Sequence, residues 1–135
     1  MRFFFLTLSI AYVWAIFFLA DSPVFYTLSS YNPYSLLHIP LYAGLTLLLV
    51  LSVFPSGGWS FSSIRSMGFI ETGSINARTR FLICAFIAAA VAITDEIHQV
   101  FVLNRDGSVT DVLLDLLGII LVIFAVGAKL KAGKR

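Results

Sequence analysis

Four apolar stretches dominate the chain, and shorter polar segments separate them. They cover residues 3–20, 36–54, 81–103 and 109–128. A transmembrane helix needs about 20 consecutive, mostly apolar residues to cross roughly 30 Å of hydrocarbon. The pattern therefore predicts an all-α integral membrane protein, in which four transmembrane helices form one bundle and a single domain over residues 1–135.

The polar segments contain residues that favour breaks between these helices. Residues 21–35 and the Gly- and Ser-rich residues 55–80 are predicted to be surface loops, and residues 104–107 have turn chemistry. Ser108 and Asp111 then have the S-x-x-D spacing of a capping box. This spacing predicts that the fourth helix begins there.

The first apolar segment allows two interpretations, a cleavable signal peptide and a retained membrane anchor. The apolar region of a signal peptide spans about 7 to 15 residues and precedes an A-x-A-like cleavage site. The segment here is longer, and Phe18 fits poorly where a small residue is needed. The sequence therefore favours the anchor.

The composition agrees with a membrane protein and excludes several functional classes. The chain is 59% hydrophobic and 12% charged, with a mean hydropathy of +0.96, whereas about a quarter of the residues in a soluble domain are charged. A net charge of +2, spread among the ends of apolar segments, argues against nucleic-acid binding. Cys84 is the single cysteine, so an intrachain disulfide cannot form.

The distribution of basic residues predicts how the bundle is oriented. With four spans, both termini and the 55–80 loop share one side of the membrane. That side collects Arg2, Arg65, Arg78, Arg80, Lys129, Lys131, Lys134 and Arg135, and only Arg105 falls on the other. By the positive-inside rule, we predict a multi-pass protein of the cytoplasmic (inner) membrane with both termini in the cytoplasm.

Most acidic residues lie in one stretch of the chain. Of the 7 acidic residues, five fall within residues 94–118, inside or beside apolar segments. Ionisable groups are costly in a membrane, and function is the default interpretation. Asp95, His98 and Gln99 are spaced to share one helix face, whereas Glu96 is expected to point about 100° away.

The neighbouring helices carry polar residues that can meet this face. Asp111, Asp115 and Gly118 form a matching stripe on the fourth helix. The intervening turn is short, so the third and fourth helices are predicted to be antiparallel neighbours, with Gly118 allowing their backbones to approach. On the second helix, His38 and Tyr42 lie one turn apart on the same face, at the end near the outer membrane surface.

Together these residues predict an outward-facing polar pocket. Its lining comprises His38, Tyr42, Asp95, His98, Gln99, Asp111 and Asp115. Imidazole and carboxylate groups make general acid–base chemistry available, and Arg105 at the rim can hold a phosphate or carboxylate. Two histidines and several carboxylates are enough ligands for a metal ion, but no HExxH or similar spacing occurs, so a metal site is the weaker interpretation and no cofactor is predicted.

Structural roles are open for several of these residues. Asp111 can serve as the N3 partner of Ser108 in the capping box. Asp95 and His98 can form a bridge between helices. Arg105 can be a solvated turn residue. Glu96 can point to the membrane interface or pair with Arg105.

The same residues carry a resemblance to a known family. The second half of the chain contains an acidic pair followed by His-Gln, an Arg, and then an Asp and a Gly on the last helix: Asp95-Glu96-Ile97-His98-Gln99, Arg105, Ser108, Asp111 and Gly118. This pattern, with His38 and Tyr42 in the first half, resembles the VanZ-like family over residues 36–118. These are small bacterial membrane proteins, named for a glycopeptide-resistance accessory protein that confers tolerance to teicoplanin.

The chain also departs from that family pattern. Tyr34-Ser35 stands where members often have Asp-Lys, and Leu103-Asn104 where they have Pro-Gly. Asp115 occupies a position that is commonly Asn. The lost lysine and the extra acid alter the charge beside the pocket, so the family's substrate charge preference does not transfer directly.

The resemblance implies a role in cell-envelope or phosphate-bearing lipid chemistry and in glycopeptide resistance. As an enzyme, the protein would use His38 and His98 for acid–base transfer, oriented by Asp95 and Asp115. The predicted substrate-binding residues are Tyr42, Glu96, Gln99, Arg105, Ser108 and Asp111. The implied partner is a membrane lipid or a lipid-linked envelope precursor, and a homo-oligomer is compatible with the sequence. A non-catalytic binding or shielding factor, and a small proton-linked transport or structural subunit, are the alternatives.

A reporter fusion at the carboxyl terminus tests the predicted orientation. We expect alkaline phosphatase fused after Arg135 to be inactive, because its disulfides form outside the cytoplasm, and a fluorescent protein fused there to be bright. An active phosphatase fusion would reverse the orientation and, with it, the compartment that supplies the substrate.

Overall fold

The computed structural model of the protein describes residues 2–20, 34–53, 76–102 and 107–132. These residues form four α-helices and one 3-10 helix, and no strand occurs among them. The α-helices are α1 (Arg2–Ala20), α2 (His38–Val53), α3 (Ala77–Gln99) and α4 (Val109–Ala132), and the 3-10 helix Tyr34–Leu37 leads directly into α2. The predicted all-α fold is confirmed.

The helices have the length and surface of a membrane bundle. Ser35–Val53, Ala77–Gln99 and Val109–Lys129 are long and apolar enough to span a bilayer, and the apolar part of α1, Phe3–Phe18, is shorter. Large apolar side chains cover the outside of the bundle, as expected where lipid replaces water. The structure thus agrees with the predicted bundle of transmembrane helices.

The third helix is displaced from its predicted bounds of 81–103. It begins at Ala77, where the Asn76 side chain accepts a hydrogen bond of 2.8 Å from the backbone N–H of Thr79, as an N-cap does. It ends at Gln99. The acidic pair therefore lies inside α3, as predicted, but the last residues of the predicted 55–80 loop are helical.

Helix α2 is the centre of the bundle, because it packs against all three other helices. Helix α3 also contacts α1 and α4, so α1 and α4 stand on opposite sides of the α2–α3 pair. Small residues on α3, Cys84, Ala88 and Ala92, are fully buried at successive turns and allow close packing. Cys84 is thus a packing residue.

Gly118 permits the closest approach between α2 and α4. A Cβ atom on Gly118 would overlap the carbonyl oxygen of Ile39 and lie 3.1 Å from the backbone nitrogen of Ala43. The expectation that Gly118 would bring α3 and α4 together was therefore wrong. The glycine faces α2, and it sets the spacing at the turn where α2 begins.

Alanine substitutions at two glycines of α4 test this contact. Gly118→Ala should lower the free energy of unfolding by about 1–3 kcal/mol, the usual cost of overpacking. Gly127→Ala is the matched control, because a Cβ there meets nothing within 4 Å; it should be neutral or stabilise by up to roughly 1 kcal/mol. Equal unfolding midpoints of the two variants in detergent would contradict the close approach.

Candidate functional site

Polar residues gather at one end of the bundle, where α1 and α3 end and α2 and α4 begin. The antiparallel arrangement brings the start of α2 beside the end of α3 and the start of α4. We call this group the His38 cluster: His38, Tyr42, Asp95, Glu96, Gln99, Asp111 and Asp115. All of these side chains are buried except that of Asp111, which is half-buried.

A buried imidazole–carboxylate pair links α2 to α4. Nδ1 of His38 donates to Oδ1 of Asp115 over 2.9 Å, and the Asp115 side chain has no exposed surface. The pair forms across the contact between Gly118 and Ile39, which are close in sequence to the two residues. A bond to one ring nitrogen fixes the orientation of the imidazole and the tautomer that it adopts.

The second ring nitrogen of His38, Nε2, is directed toward a more exposed carboxylate. Nε2 of His38 lies 3.9 Å from Oδ2 of Asp111, whose side chain is 16% exposed. Asp111 is held in place by Ser35, whose hydroxyl donates to Oδ1 over 2.6 Å. The imidazole therefore lies between a fully buried carboxylate and one that reaches the surface of the bundle.

Glu96 belongs to the cluster, contrary to the expectation that it would point away from the functional face. Its Oε1 lies 3.9 Å from Nδ1 of His38 and accepts from Nε2 of Gln99 over 3.3 Å. Its Oε2 accepts from the backbone N–H of Ser108 over 2.7 Å. Both α2 and α4 pack on this end of α3, so the buried face is wide enough to include Asp95 and Glu96 together.

The start of α4 is a capping box that is shared with α3. Ser108 caps the helix, because its hydroxyl accepts from the backbone N–H of Asp111 over 3.3 Å. The reciprocal bond to the Ser108 N–H comes from Glu96 on α3. Asp111 thus occupies the N3 position while its carboxylate binds Ser35 and faces His38, so capping and a place in the cluster are compatible.

Asp95 forms the deepest part of the cluster with its neighbours. Its Oδ2 accepts from the hydroxyl of Tyr42 over 3.3 Å and from Nε2 of Gln99 over 3.2 Å. Oδ1 of Asp95 and Oδ2 of Asp115 are buried and have no hydrogen-bond partner among the described residues. Buried polar atoms are normally paired, so these two oxygens are candidates for contacts with a ligand.

His98 and Arg105 differ from the other predicted site residues. The His98 ring packs edge-on against Phe17 of α1, with ring centroids 5.5 Å apart. Within the described part of the chain, no hydrogen bond or ion pair joins His98 to the cluster. Arg105 lies outside the described residues. Ser35 also contacts the cluster through Asp111, although its position in the sequence indicated only a departure from the family pattern.

The cluster is acidic. Four carboxylates surround one imidazole, and each Lys or Arg whose side chain the structure describes lies at the opposite end of the bundle. Arg80 and Lys129 are each more than a dozen residues along their helices from the cluster, or roughly 20 Å at about 1.5 Å per residue. Arg80 donates instead to the carbonyl of Val53 over 3.2 Å.

This arrangement can exchange protons and bind cationic or hydrogen-bonding groups. An imidazole oriented by a carboxylate is a common general acid or base. The Ser35 hydroxyl donates to Asp111. The described geometry supports acid–base chemistry or binding.

Comparison with known proteins identifies one family. The family model described as VanZ/LLP1 matches residues 4–129, nearly the whole chain. Neither a curated protein nor a solved structure matches.

A double-mutant cycle measures the coupling within the imidazole–carboxylate pair. His38→Ala and Asp115→Ala should each cost about 3–5 kcal/mol, because each leaves a buried polar partner uncompensated. The double variant should therefore lose clearly less free energy of unfolding than the sum of the two single losses. The measurement is reversible unfolding in mixed micelles.

The control cycle combines His98→Ala with Asp115→Ala. Its coupling should be clearly smaller than that of the His38–Asp115 cycle, because no hydrogen bond or ion pair joins His98 to Asp115 in the described part of the chain. Additive costs in the His38–Asp115 cycle itself would mean that the pair contributes no coupling.

Proposed function

The chain belongs to the VanZ/LLP1 family, and on this premise we propose that the His38 cluster acts on a phosphate-bearing lipid or lipid-linked precursor of the bacterial cell envelope. The observation that carries the proposal is the His38–Asp115 pair, buried at one end of a membrane bundle and 3.9 Å from the half-buried Asp111. Ionisable side chains at such positions are costly and usually functional.

The exposed fractions of three side chains support a path by which a ligand reaches the His38–Asp115 pair from the membrane surface. Asp111 is 16% exposed on its side chain, His38 is 7% exposed, and Asp115 is fully buried. A lipid head group that enters at Asp111 would meet the Nε2 side of His38 first. Because the described cluster is acidic, we propose that Arg105, which lies outside the described residues, binds the phosphate. His38 would exchange a proton with the substrate, and Asp115 would hold the ring in position.

The location of the cluster supports a role outside the cytoplasm. The cluster lies at the end of the bundle opposite Arg80 and Lys129, and basic residues favour the cytoplasmic side. We therefore place the protein in the cytoplasmic membrane, with the cluster at the outer leaflet. Modification of an envelope intermediate there would reduce the target available to a teicoplanin-type glycopeptide.

A non-catalytic role as a binding or shielding factor is the second candidate. It is favoured by the cluster's hydrogen bonds, which join Tyr42, Asp95, Gln99 and Glu96 into a network of donors and acceptors suited to a polar head group. In this case the cluster would hold a lipid head group without converting it. The two candidates differ in whether a product forms.

Histidine substitutions provide the test of the cluster's role. In a strain that depends on this protein for teicoplanin tolerance, or that shows a changed lipid profile, His38→Gln should behave like a deletion. For an enzyme, the rate should fall by about 10²–10⁴-fold. His98→Gln removes the other imidazole of the chain, which packs against Phe17 and makes no described hydrogen bond to the cluster, so it should retain most of the effect.

The readout is lipid and cell-wall precursor profiling, with membrane abundance of each variant measured in parallel. A new product made by the purified protein supports the enzyme, whereas a co-purifying lipid without product supports the binding factor. A normal profile with His38→Gln at normal abundance would overturn both roles for the cluster.

A further inference from the structure

We propose that the His38 cluster binds a divalent transition-metal ion, with His38, Glu96 and Asp115 as the protein ligands. Each ligand comes from a different helix, α2, α3 and α4. One ligand atom from each residue lies within 4.8 Å of the others, and all three residues are buried. The metal site therefore forms only when the three helices are packed together.

The distances fit a small coordination sphere. Zinc bonds to imidazole nitrogen and carboxylate oxygen are about 2.0–2.2 Å long, so neighbouring ligand atoms of a tetrahedral site lie about 3.3 Å apart. Nδ1 of His38 is 2.9 Å from Oδ1 of Asp115 and 3.9 Å from Oε1 of Glu96. These two values bracket the expected spacing, and because all three ligand atoms lie within 4.8 Å of one another, the side chains would close by at most about 1.5 Å around an ion.

An independent observation also points to a cation at this position. Oδ2 of Asp115 is buried and receives no hydrogen bond from any described residue, although the side chain has no exposed surface. A buried carboxylate oxygen without a donor is costly. A metal ion would replace the proton between His38 and Asp115 and compensate this oxygen's charge.

The surrounding contacts hold the ligands as metal sites require. Glu96 is fixed by the backbone N–H of Ser108 through Oε2 and by Gln99 through Oε1. The second ring nitrogen of His38 faces Asp111, at 3.9 Å. A ligating histidine usually directs its other nitrogen to a carboxylate, which orients the ring.

The ligand types indicate which metal would bind. One imidazole and two carboxylates leave a fourth position open, as in catalytic zinc sites, whereas Mg²⁺ and Ca²⁺ prefer oxygen ligands alone. A divalent ion would also supply the positive charge that an acidic cluster needs to bind a phosphate, and in the metal-bound form His38 would act as a ligand and not as the proton carrier. Phosphate binding rests on the proposed function, but metal binding itself does not.

Local sequence motifs do not predict this site. Its ligands are 19 to 77 residues apart and follow no HExxH or similar spacing. Only the packing of three helices brings them together.

Zinc binding to the purified full-length chain tests the proposal. The protein, with any polyhistidine tag removed, is stripped with a chelator in detergent micelles and titrated with Zn²⁺ alone. We expect about one equivalent by elemental analysis after dialysis, and a saturable isotherm by calorimetry. X-ray absorption should show one imidazole among nitrogen and oxygen ligands.

Single substitutions identify which side chains bind the metal ion. His38→Gln, Glu96→Gln and Asp115→Asn should each weaken Zn²⁺ binding by more than about 100-fold, and Asp111→Asn by about 10–100-fold, the usual effect beyond the direct ligands. His98→Gln is the matched control and should bind like the parent chain. Circular dichroism confirms that each variant is helical.

The measurement on the parent chain decides the matter even if a variant fails to fold. Folded parent protein that retains no Zn²⁺ would overturn the proposal, as would loss of binding in His98→Gln with retention in His38→Gln. Because no lipid is present, a failure here is distinct from a failure of lipid profiling, which would overturn only the proposed function.

Discussion

The contact between His38 and Asp115 is the interaction on which the polar end of the bundle depends. Placing an aspartate in a fully buried position of a membrane helix is costly unless a partner compensates its charge. His38 provides that partner across 2.9 Å. The contact requires α2 and α4 to approach at backbone distance, and Gly118 allows this because it has no side chain between Ile39 and Ala43.

The hydrogen bond from the Ser108 N–H to Glu96 joins α3 to the same cluster. A helix N-terminus has backbone N–H groups without intrahelical partners, and in α4 one of these is satisfied by a carboxylate from α3. The Asp111 carboxylate, which a simple capping box would use there, faces Ser35 and His38 instead. The same residues thus satisfy the N-terminus of α4 and hold the cluster together.

Hydropathy and turn chemistry predicted the four helices and the end of the bundle where polar residues meet, because both depend on local composition. The sequence could not give the rotation of each helix. Helices such as α2 are apolar on nearly all sides, so their pattern does not distinguish a face toward a partner from a face toward lipid. For this reason Gly118 was assigned to the wrong neighbour, Glu96 was expected to point away from a face that it shares, and the contact of His98 with Phe17 on α1 was not predicted. The contact from Ser35 could not be predicted, since it depends on how α2 and α4 pack across 76 residues of sequence.

Nuclear magnetic resonance of the histidine rings tests the central contact most directly. The chain has 2 histidines, so ¹⁵N-labelled imidazoles in micelles or nanodiscs give a spectrum simple enough to assign with His38→Gln. Asp115→Asn should move the His38 ring resonances by replacing the carboxylate acceptor at Nδ1 with a neutral amide, and it should leave those of His98 in place. An unchanged His38 ring in a folded Asp115→Asn variant would contradict the pairing from which the cluster is built.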